Sequence, residues 1–251
     1  MKYDLLLNLF RLNYRLKYTS SKFGLLWSIL SPIITLGIFN IIFIHILKVN
    51  ITNFPLFLFC GLVCWTFFSS TAVNSCYCYL KNFEIIQKIR FPYHYILFSE
   101  IILNFMIFTI NFIILTIFSI LTSNNFSIYN IFYIIPAIII LILITTTISF
   151  ITSTLSVFSK DIPHITEIII NIWFYATPIF YSPTMIPEKI RFLFKYNPAT
   201  LPIEIIRKVF YDKTIIIYNS DIIIHIIIDI IALTAVWIYY NKKRPYFPEF
   251  I

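Results

Sequence analysis

Six long apolar stretches, separated by short polar or charged connections, dominate this chain. A helix needs about 20 mostly apolar residues to cross the hydrocarbon core of a bilayer. On that rule the pattern predicts spans at about 24–47, 56–79, 95–121, 131–158, 164–181 and 221–240. The sequence therefore predicts an all-α integral membrane protein, with a single membrane domain over residues 24–240.

The fifth apolar stretch differs from the others because prolines interrupt it and the segment that follows. Residues 165–198 read ITEIIINIWFYATPIFYSPTMIPEKIRFLFKYNP. Proline removes a backbone donor and clashes with the preceding helical turn. Within a bilayer, broken backbone is tolerated only where it is buried in protein or lines a wet cavity. The stretch therefore indicates a pathway through the membrane.

The N-terminal segment, residues 1–23, has the spacing of an amphipathic helix. One face carries Leu5, Leu9, Leu12 and Leu16, and another carries Asp4, Asn8, Arg11 and Arg15. This pattern predicts a helix in the cytoplasmic interface, with its basic face towards lipid phosphates. A solvated arm before the first span is the alternative.

A second amphipathic segment, KNFEIIQKIRFP, connects the second and third spans. Ile85, Ile86 and Ile89 fall on one helical face, and Pro92 ends the helix. Glu84 precedes Lys88 by four residues, which is the favourable order for a surface ion pair. This short helix could lie on the membrane or insert into a groove on a partner protein.

Composition agrees with a membrane protein and excludes several functions. The 251 residues are 59% hydrophobic and only 12% charged, against about 45–50% and 25% in soluble domains. With three glycines in the chain, no glycine-rich phosphate loop is possible, so any ATP must bind another polypeptide. Catalytic and metal-binding clusters are not expected. The four cysteines, Cys60, Cys64, Cys76 and Cys78, are interpreted as small buried side chains of one helix.

Lysine and arginine predict the orientation. Twelve of the 19 basic residues fall in the connections on the side of the termini, which the positive-inside rule assigns to the cytoplasm. Residues 241–251 are then a cytoplasmic tail. In the sixth span, His225 and Asp229 are four residues apart, and either structural pairing or a proton relay would account for them.

Four segments carry a resemblance to a known family. They are Tyr14–Tyr18 with Phe23–Ile33, Phe54–Ser70, Ile85–Pro92 and Ser159–Thr200. In these segments the chain resembles the permease subunits of type-2 ABC exporters, in the branch that exports O-antigen, capsule or teichoic-acid polysaccharides. At Cys64 the family often has proline, a departure that concerns one helical turn.

The resemblance implies a homodimer in the bacterial cytoplasmic (inner) membrane, multi-pass, with six transmembrane helices per subunit. It implies two separate ATP-binding subunits that hold ATP and magnesium, and a polysaccharide cargo linked to undecaprenyl pyrophosphate. Membrane lipid is a further partner, and nucleic acid is not one. A re-entrant extracytoplasmic helical hairpin between the fifth and sixth spans would gate the exit, at Pro178, Pro183 and Pro187. A coupling helix to the ATPase would include Glu84, Ile85, Ile86, Lys88, Ile89 and Arg90.

Aromatic and basic residues supply the candidate cargo contacts. Sugar rings stack on aromatic faces, and the candidates beside the channel are Trp27, Trp173, Phe174, Tyr175, Phe180 and Tyr181. An interfacial aromatic belt is the alternative for each of them. Contacts to lipid or pyrophosphate are assigned to Arg11, Arg15, Lys17 and Lys22, although plain positive-inside topology would also explain these charges.

Two other functions remain open at this point. An ATP-independent lipid or glycolipid flippase, or another secondary transporter, would be expected to show inverted repeats and more charge at the bilayer midplane. A membrane enzyme of glycolipid synthesis would need a cluster of catalytic polar groups at one depth.

Overall fold

The computed structural model describes residues 2–18, 23–24, 26–46, 51–88, 91–122, 132–212 and 219–250, and within these residues the chain forms helices and no strands. The α-helices are α1 Lys2–Tyr18, α2 Leu26–Asn40, α3 Phe54–Lys81, α4 Phe83–Lys88, α5 His94–Thr122, α6 Ile134–Phe158, α7 Ile162–Tyr175, α8 Glu188–Lys195, α9 Thr200–Arg207, α10 Asn219–Lys243 and α11 Phe247–Phe250. Short π-helical turns extend α2 over Ile41–Ile46 and α9 over Lys208–Asp212. The connection between the third and fourth predicted spans, residues 122–130, lies almost entirely outside the described residues.

Five of the six predicted spans are confirmed as helices long and apolar enough to cross a membrane. The exception is the predicted span 164–181, where the structure has α7. This helix contains 14 residues, which rise about 21 Å, less than the roughly 30 Å of a hydrocarbon core. The count of six full spans is therefore not confirmed.

Helix α3 is the centre of the bundle. It packs against α2, α5, α6, α7 and α9, and 19 of its 28 residues are buried. Asn53 precedes it in a left-handed conformation with φ of 47°, which asparagine tolerates better than most residues. Pro55 then occupies the first turn, where its missing N–H costs no helical hydrogen bond.

Hydroxyl side chains make α6 compatible with an apolar bundle. Thr145 and Ser156 donate to the backbone carbonyls of Leu141 and Thr152, four residues earlier, at 2.6 and 2.7 Å. Such back-bonding satisfies the hydroxyl without a partner outside the helix. Thr152 also donates to the carbonyl of Ala72 on α3 at 3.2 Å. The hydroxyls thus join α6 to α3 inside the bundle.

The predicted N-terminal helix forms, but it is docked on the bundle. Asn13 donates to Ser99 at 2.9 Å and Lys17 donates to Asn104 at 3.0 Å, both on α5. Of the predicted apolar face, Leu9 is buried, whereas Leu16 is exposed. The helix therefore contacts the protein through the line of Leu9, Asn13 and Lys17, because the polar ends of the last two find partners on α5.

The C-terminal segment, predicted as a tail, folds back onto the bundle. Phe247 on α11 is fully buried, and its ring lies 5.0 Å from that of Tyr79 on α3. The same cluster contains Leu9 of α1 and Val157 near the end of α6. Helices α6 and α10 therefore end at the same end of the bundle as α1. The chain between them, from α7 to the start of α10, must travel the length of the bundle.

Candidate functional site

The break predicted at Pro178 is present, and it leaves backbone groups to be satisfied. Helix α7 ends at Tyr175, and Ile179 N–H then donates to the carbonyl of Thr177 at 2.7 Å. Pro178 has no N–H, so no helical ladder continues through this turn. The turn is nevertheless buried at Thr177, Pro178 and Ile179. Its carbonyls therefore require partners from elsewhere in the fold.

Arg207, the last residue of α9, supplies these partners. Its side chain is only 3% exposed. Its Nη1 donates to the carbonyl of Pro178 at 2.5 Å, and its Nη2 donates to that of Ile179. Its Nε donates to the carbonyl of Phe57 on α3 at 3.2 Å, and the guanidinium lies 3.7 Å above the Phe57 ring. One buried cation thus joins α9, α3 and the break.

Gly61 makes room for this arginine. A Cβ at Gly61 would lie 3.0 Å from Arg207 Nη2 and 3.3 Å from the backbone Cα of Ile179. Contacts this short require neighbours to shift, and here one neighbour is backbone. The glycine is one turn after Phe57, on the face of α3 that receives the break. The absence of a side chain at Gly61 therefore allows α3, Arg207 and the turn to approach one another closely.

Asn197 satisfies the other side of the same turn. Its Nδ2 donates to the carbonyl of Ala176 at 3.1 Å and to Thr177 Oγ1 at 2.9 Å. Its Oδ1 accepts from Trp173 Nε1 at 2.9 Å and from the N–H of Ala199 at 3.1 Å. Asn197 therefore ties the end of α7 to the start of α9. We call Arg207, Gly61 and Asn197 the turn clamp.

Five of the six predicted channel aromatics lie together around this turn. Phe180 is at the centre, with ring centroids 5.7 Å from Phe174, 6.0 Å from Tyr175 and 4.9 Å from Tyr181. Phe39 on α2 stacks on Phe180 at 6.1 Å. Trp173 joins the group through Asn197. The sixth aromatic residue, Trp27, is separate from the group and pairs with Phe23 at 5.8 Å.

Helix α7 presents a polar stripe on its exposed side. Pro163, Thr166 and Ile170 are its buried residues, whereas the stripe consists of His164, Glu167, Asn171 and Tyr175, all exposed. Tyr175, at the end next to the break, is 67% exposed. A carboxylate and an amide facing lipid tails would be costly, so this side favours a wet cavity or a second copy of the chain.

The segment after the break forms helices at the predicted prolines. Pro183 begins a 3₁₀ turn, Pro183–Met185, and Pro187 directly precedes α8. In α8, Phe192 and Leu193 are exposed beside charged residues. After the turn the region thus contains two short helices, α8 and α9, and their arrangement as a re-entrant hairpin stays a prediction.

The predicted coupling segment forms α4, but its isoleucines do not all face outwards. Ile86 is buried against the bundle, and Ile85 packs against the same cluster. Glu84 and Lys88 are exposed and 3.6 Å apart. Phe83 and Gln87 are also exposed. Ile89 and Arg90 lie outside the described residues. A partner that docks on α4 would therefore contact Phe83, Glu84, Gln87 and Lys88.

Of the basic residues predicted to contact lipid or pyrophosphate, one is bonded to the bundle and two are exposed on its surface. Lys17 bonds Asn104, as described above, and burial lowers its pKa. Arg11 and Arg15 are exposed on α1, and Lys22 lies outside the described residues. In α10, no ion pair or hydrogen bond joins His225 to Asp229 in the described part of the chain, and Asp229 Oδ2 is buried without a partner there. The predicted pairing is therefore not observed.

The turn clamp was missed from the sequence. Arg207 was counted among the basic residues of the connection between the fifth and sixth spans. A weak signal existed, because Arg207 and Lys208 interrupt an apolar stretch that runs from Leu201 to Phe210 and contains one other charge, Glu204. Asn197 directly precedes a proline, where a turn is expected. Neither signal identifies carbonyl partners 20 to 30 residues away.

Comparisons with known proteins agree with this architecture. The family model of the ABC-2 type transporter matches residues 5–211. The chain belongs to this family. An O-antigen export system permease protein RfbA of Klebsiella pneumoniae is 32% identical over 249 residues, covering 99% of this chain and 95% of the relative. A protein of the same name from Myxococcus xanthus is 24% identical over 185 residues, covering 74% of this chain and 71% of the relative. As a member of the ABC-2 type transporter family, the chain is a transport protein.

Proposed function

We propose that this chain is the membrane-spanning channel subunit of an ATP-driven exporter that moves a lipid-linked polysaccharide of the O-antigen type across the cytoplasmic membrane. The observation that carries the proposal is the 32% identity to an O-antigen export permease over almost the whole of both chains. The aromatic group beside the polar stripe of α7 supports the same function. Aromatic rings bind the C–H faces of sugars without fixed donor positions, so a repeating polymer can slide past them.

In the proposed assembly two copies of the chain face each other across a channel bordered by α2 and α7. Both termini are cytoplasmic, and α7 together with the clamped turn completes a sixth crossing. The hairpin of α8 and α9 then lies at the extracytoplasmic exit as a gate. The exposed side of α7 supports this arrangement, because its polar stripe needs surroundings other than lipid tails.

Two ATP-binding subunits, which hold ATP and magnesium, dock on the cytoplasmic side at α4. The exposed surface of Phe83, Glu84, Gln87 and Lys88 is the contact, and Ile86 anchors the helix to the bundle. A movement of the partner is therefore passed to α3, which begins the chain of contacts leading to Arg207 and the turn. The undecaprenyl pyrophosphate carrier is drawn towards the basic residues of α1.

Export in a reporter cell tests the function. The chain and its ATPase are expressed in a strain that makes O-antigen but lacks its own export permease. Surface O-antigen is measured by antibody on intact cells. We expect export to return with the wild-type pair, and to be lost when the Walker A lysine of the ATPase is replaced. Export that persists without ATP hydrolysis would instead indicate an ATP-independent flippase.

Co-purification tests the docking surface. Phe83→Ala combined with the charge exchange Glu84→Lys and Lys88→Glu preserves the local ion pair but changes the exposed surface. We expect this variant to lose the ATPase while it keeps its thermal stability. Tyr196→Ala, at an exposed aromatic residue after α8 on the side that the proposal makes extracytoplasmic, is the matched control and should retain the ATPase. Retention of the ATPase by the α4 variant would refute docking at this surface.

A further inference from the structure

A cavity of about 560 Å³ lies beside the turn clamp, between the start of α3, the turn Pro183–Met185 and the end of α9. Residues that line it include Thr52, Phe57, Met185, Glu204, Tyr211 and Asp212. Pockets that hold small ligands are commonly about 300–1,000 Å³. The lining comes from these segments and not from α7. The cavity is therefore separate from the polar stripe to which the proposed channel was assigned.

An aromatic ring is fixed in the wall of this cavity. The hydroxyl of Tyr211 donates to the backbone carbonyl of Thr52 at 2.6 Å and lies 2.9 Å from Thr52 Oγ1. Its ring meets Phe57 edge to face, with centroids 5.4 Å apart. Arg207 covers a face of Phe57. Tyr211 is thus held in place at its hydroxyl and by its neighbour, and it offers a preformed surface for the C–H face of a ring.

Hydrogen-bond acceptors complete the cavity. Glu204 is half-buried, and Asp212 stands at the more open side. Burial raises the pKa of both carboxyl groups, although Arg207 and Lys208 oppose the shift. An ionised carboxylate only accepts hydrogen bonds. Two acceptors beside a fixed ring match the hydroxyl groups and the C–H face of a sugar.

The charged side chains that line the cavity limit the chemical class of ligand that can bind there. The two carboxylates disfavour an anion, while the guanidinium of Arg207 and the ammonium of Lys208 disfavour a metal ion. The described residues contain no group of three metal-ligating side chains. A neutral ligand with several hydroxyl groups is repelled neither by the carboxylates nor by the two cations.

We propose that this cavity is a saccharide-binding site for one or two neutral sugar units, with stacking on Tyr211 and hydrogen bonds to Glu204 and Asp212. The site rests on the proposed function in one respect: it holds a unit of the exported polymer beside the exit. Because Arg207 borders the cavity and also bonds the turn at Pro178 and Ile179, an occupied site contacts the gate.

Binding is measured on the full chain in lipid nanodiscs, by saturation-transfer NMR and calorimetry. The neutral probes are mannotetraose and galactotetraose, and tetragalacturonate is the anionic probe. We expect a neutral probe to bind and the anionic probe not to bind. Glu204→Gln should weaken the binding by about tenfold, because a neutral acceptor replaces a charged one and hydrogen bonds to charged groups are stronger. Tyr211→Ala should weaken it further, and Tyr211→Phe should retain the stacking.

Thermal unfolding of each variant controls for folding. Glu204→Gln and Asp212→Asn keep the size and shape of the side chain, whereas Tyr211→Ala removes the ring. Tyr246→Ala is the matched aromatic control. No binding of either neutral probe to the wild-type chain would overturn the site, as would equal binding by wild type, Glu204→Gln and Tyr211→Ala. If the wild-type chain supports export but binds neither neutral probe, the saccharide site is refuted and the proposed function stands. If the chain binds a probe but does not support export, the site stands and the proposed function is refuted.

Discussion

At the scale of single residues, Arg207 shows how a buried charge is stabilised by backbone carbonyls, with the carboxylates of Glu204 and Asp212 adding attraction. Burying an ionised group is expensive unless hydrogen bonds and opposite partial charges replace water. Here three carbonyls and one aromatic ring do so. Burial lowers the pKa of Arg207 to about 10, so the guanidinium is still protonated at neutral pH. All its donated bonds go to backbone atoms, which ties its role to the path of the chain.

Replacement of Arg207 should destabilise the turn it holds. Arg207→Met removes the donor from the buried carbonyls of Pro178 and Ile179, and each unsatisfied group costs about 1–3 kcal/mol. We expect a loss of about 3 kcal/mol or more and faster hydrogen exchange at residues 179–182. Arg207→Lys keeps the charge but not the planar fork, so it should be intermediate. Unchanged exchange in Arg207→Met would show that the carbonyls find other donors.

Two glycines offer a matched test of close packing. Gly61→Ala places a methyl group against Arg207 and the backbone of Ile179, and overpacking of this kind costs about 1–3 kcal/mol. At Gly37 on α2 the new methyl group would meet nothing within 4 Å. Gly37→Ala should therefore stabilise the helix slightly, by about 0.5–1 kcal/mol. Thermal unfolding in detergent measures both, and equal effects would contradict the role given to Gly61.

At the scale of elements, α7 is the helix whose sequence and surroundings disagree most with a lipid-facing span. It is short, it ends at a buried break, and its polar stripe is exposed. α10 is the contrast, because it is long and exposes mostly isoleucine. α7 also exposes four isoleucines, Ile165, Ile168, Ile169 and Ile172. We therefore expect only its polar stripe to meet a medium other than lipid tails.

Cysteine labelling distinguishes these two surroundings. Asn171→Cys on the α7 stripe should react with a water-soluble maleimide in lipid vesicles. Ile231→Cys on the exposed side of α10 is the control and should react at least tenfold more slowly, since a thiol in hydrocarbon is not ionised. The four native cysteines are buried, so background is low. Equal, slow labelling at both sites would contradict a wet cavity beside α7, because lipid or a second copy of the chain would then cover the stripe.

The sequence predicted helices better than it predicted which sides of them pack. Periodicity alone located α1, α4 and the five long helices, because apolar length and spacing are local properties. The sequence placed Leu16 on the apolar face of α1 and, through the family resemblance, Ile86 in the coupling helix; the structure leaves Leu16 exposed and buries Ile86 against the bundle. The reason is that Asn13 and Lys17 find acceptors on α5, and Ile86 finds the cluster around Tyr79. Those partners are distant in sequence, as are the carbonyls that Arg207 bonds.

At the scale of the whole molecule, the shared position of Leu9 and Phe247 in one cluster determines the path of the chain. The first and last helices end together, so an even number of passages must separate them. The five long helices supply an odd number. We therefore expect the stretch that begins with α7 to provide the remaining passage, as a short helix followed by the clamped turn.

Accessibility from the two sides tests this path. We expect Tyr196→Cys, at a position 75% exposed after α8, to be labelled by an impermeant maleimide in spheroplasts. Tyr246→Cys, beyond α10, should be labelled only after the membrane is opened. Labelling of both from one side would mean that the stretch after α6 does not cross.

The turn clamp also has a consequence for evolution. Since Arg207 bonds backbone carbonyls, substitution of the residues that bear those carbonyls does not remove its acceptors, provided that the turn keeps its path. Gly61 is different, because any side chain there enters the space of the guanidinium. Among related sequences we therefore expect position 207 to co-vary with position 61 and hardly at all with 178 and 179. A shorter residue at 207 would accompany a larger one at 61, as compensating changes of volume.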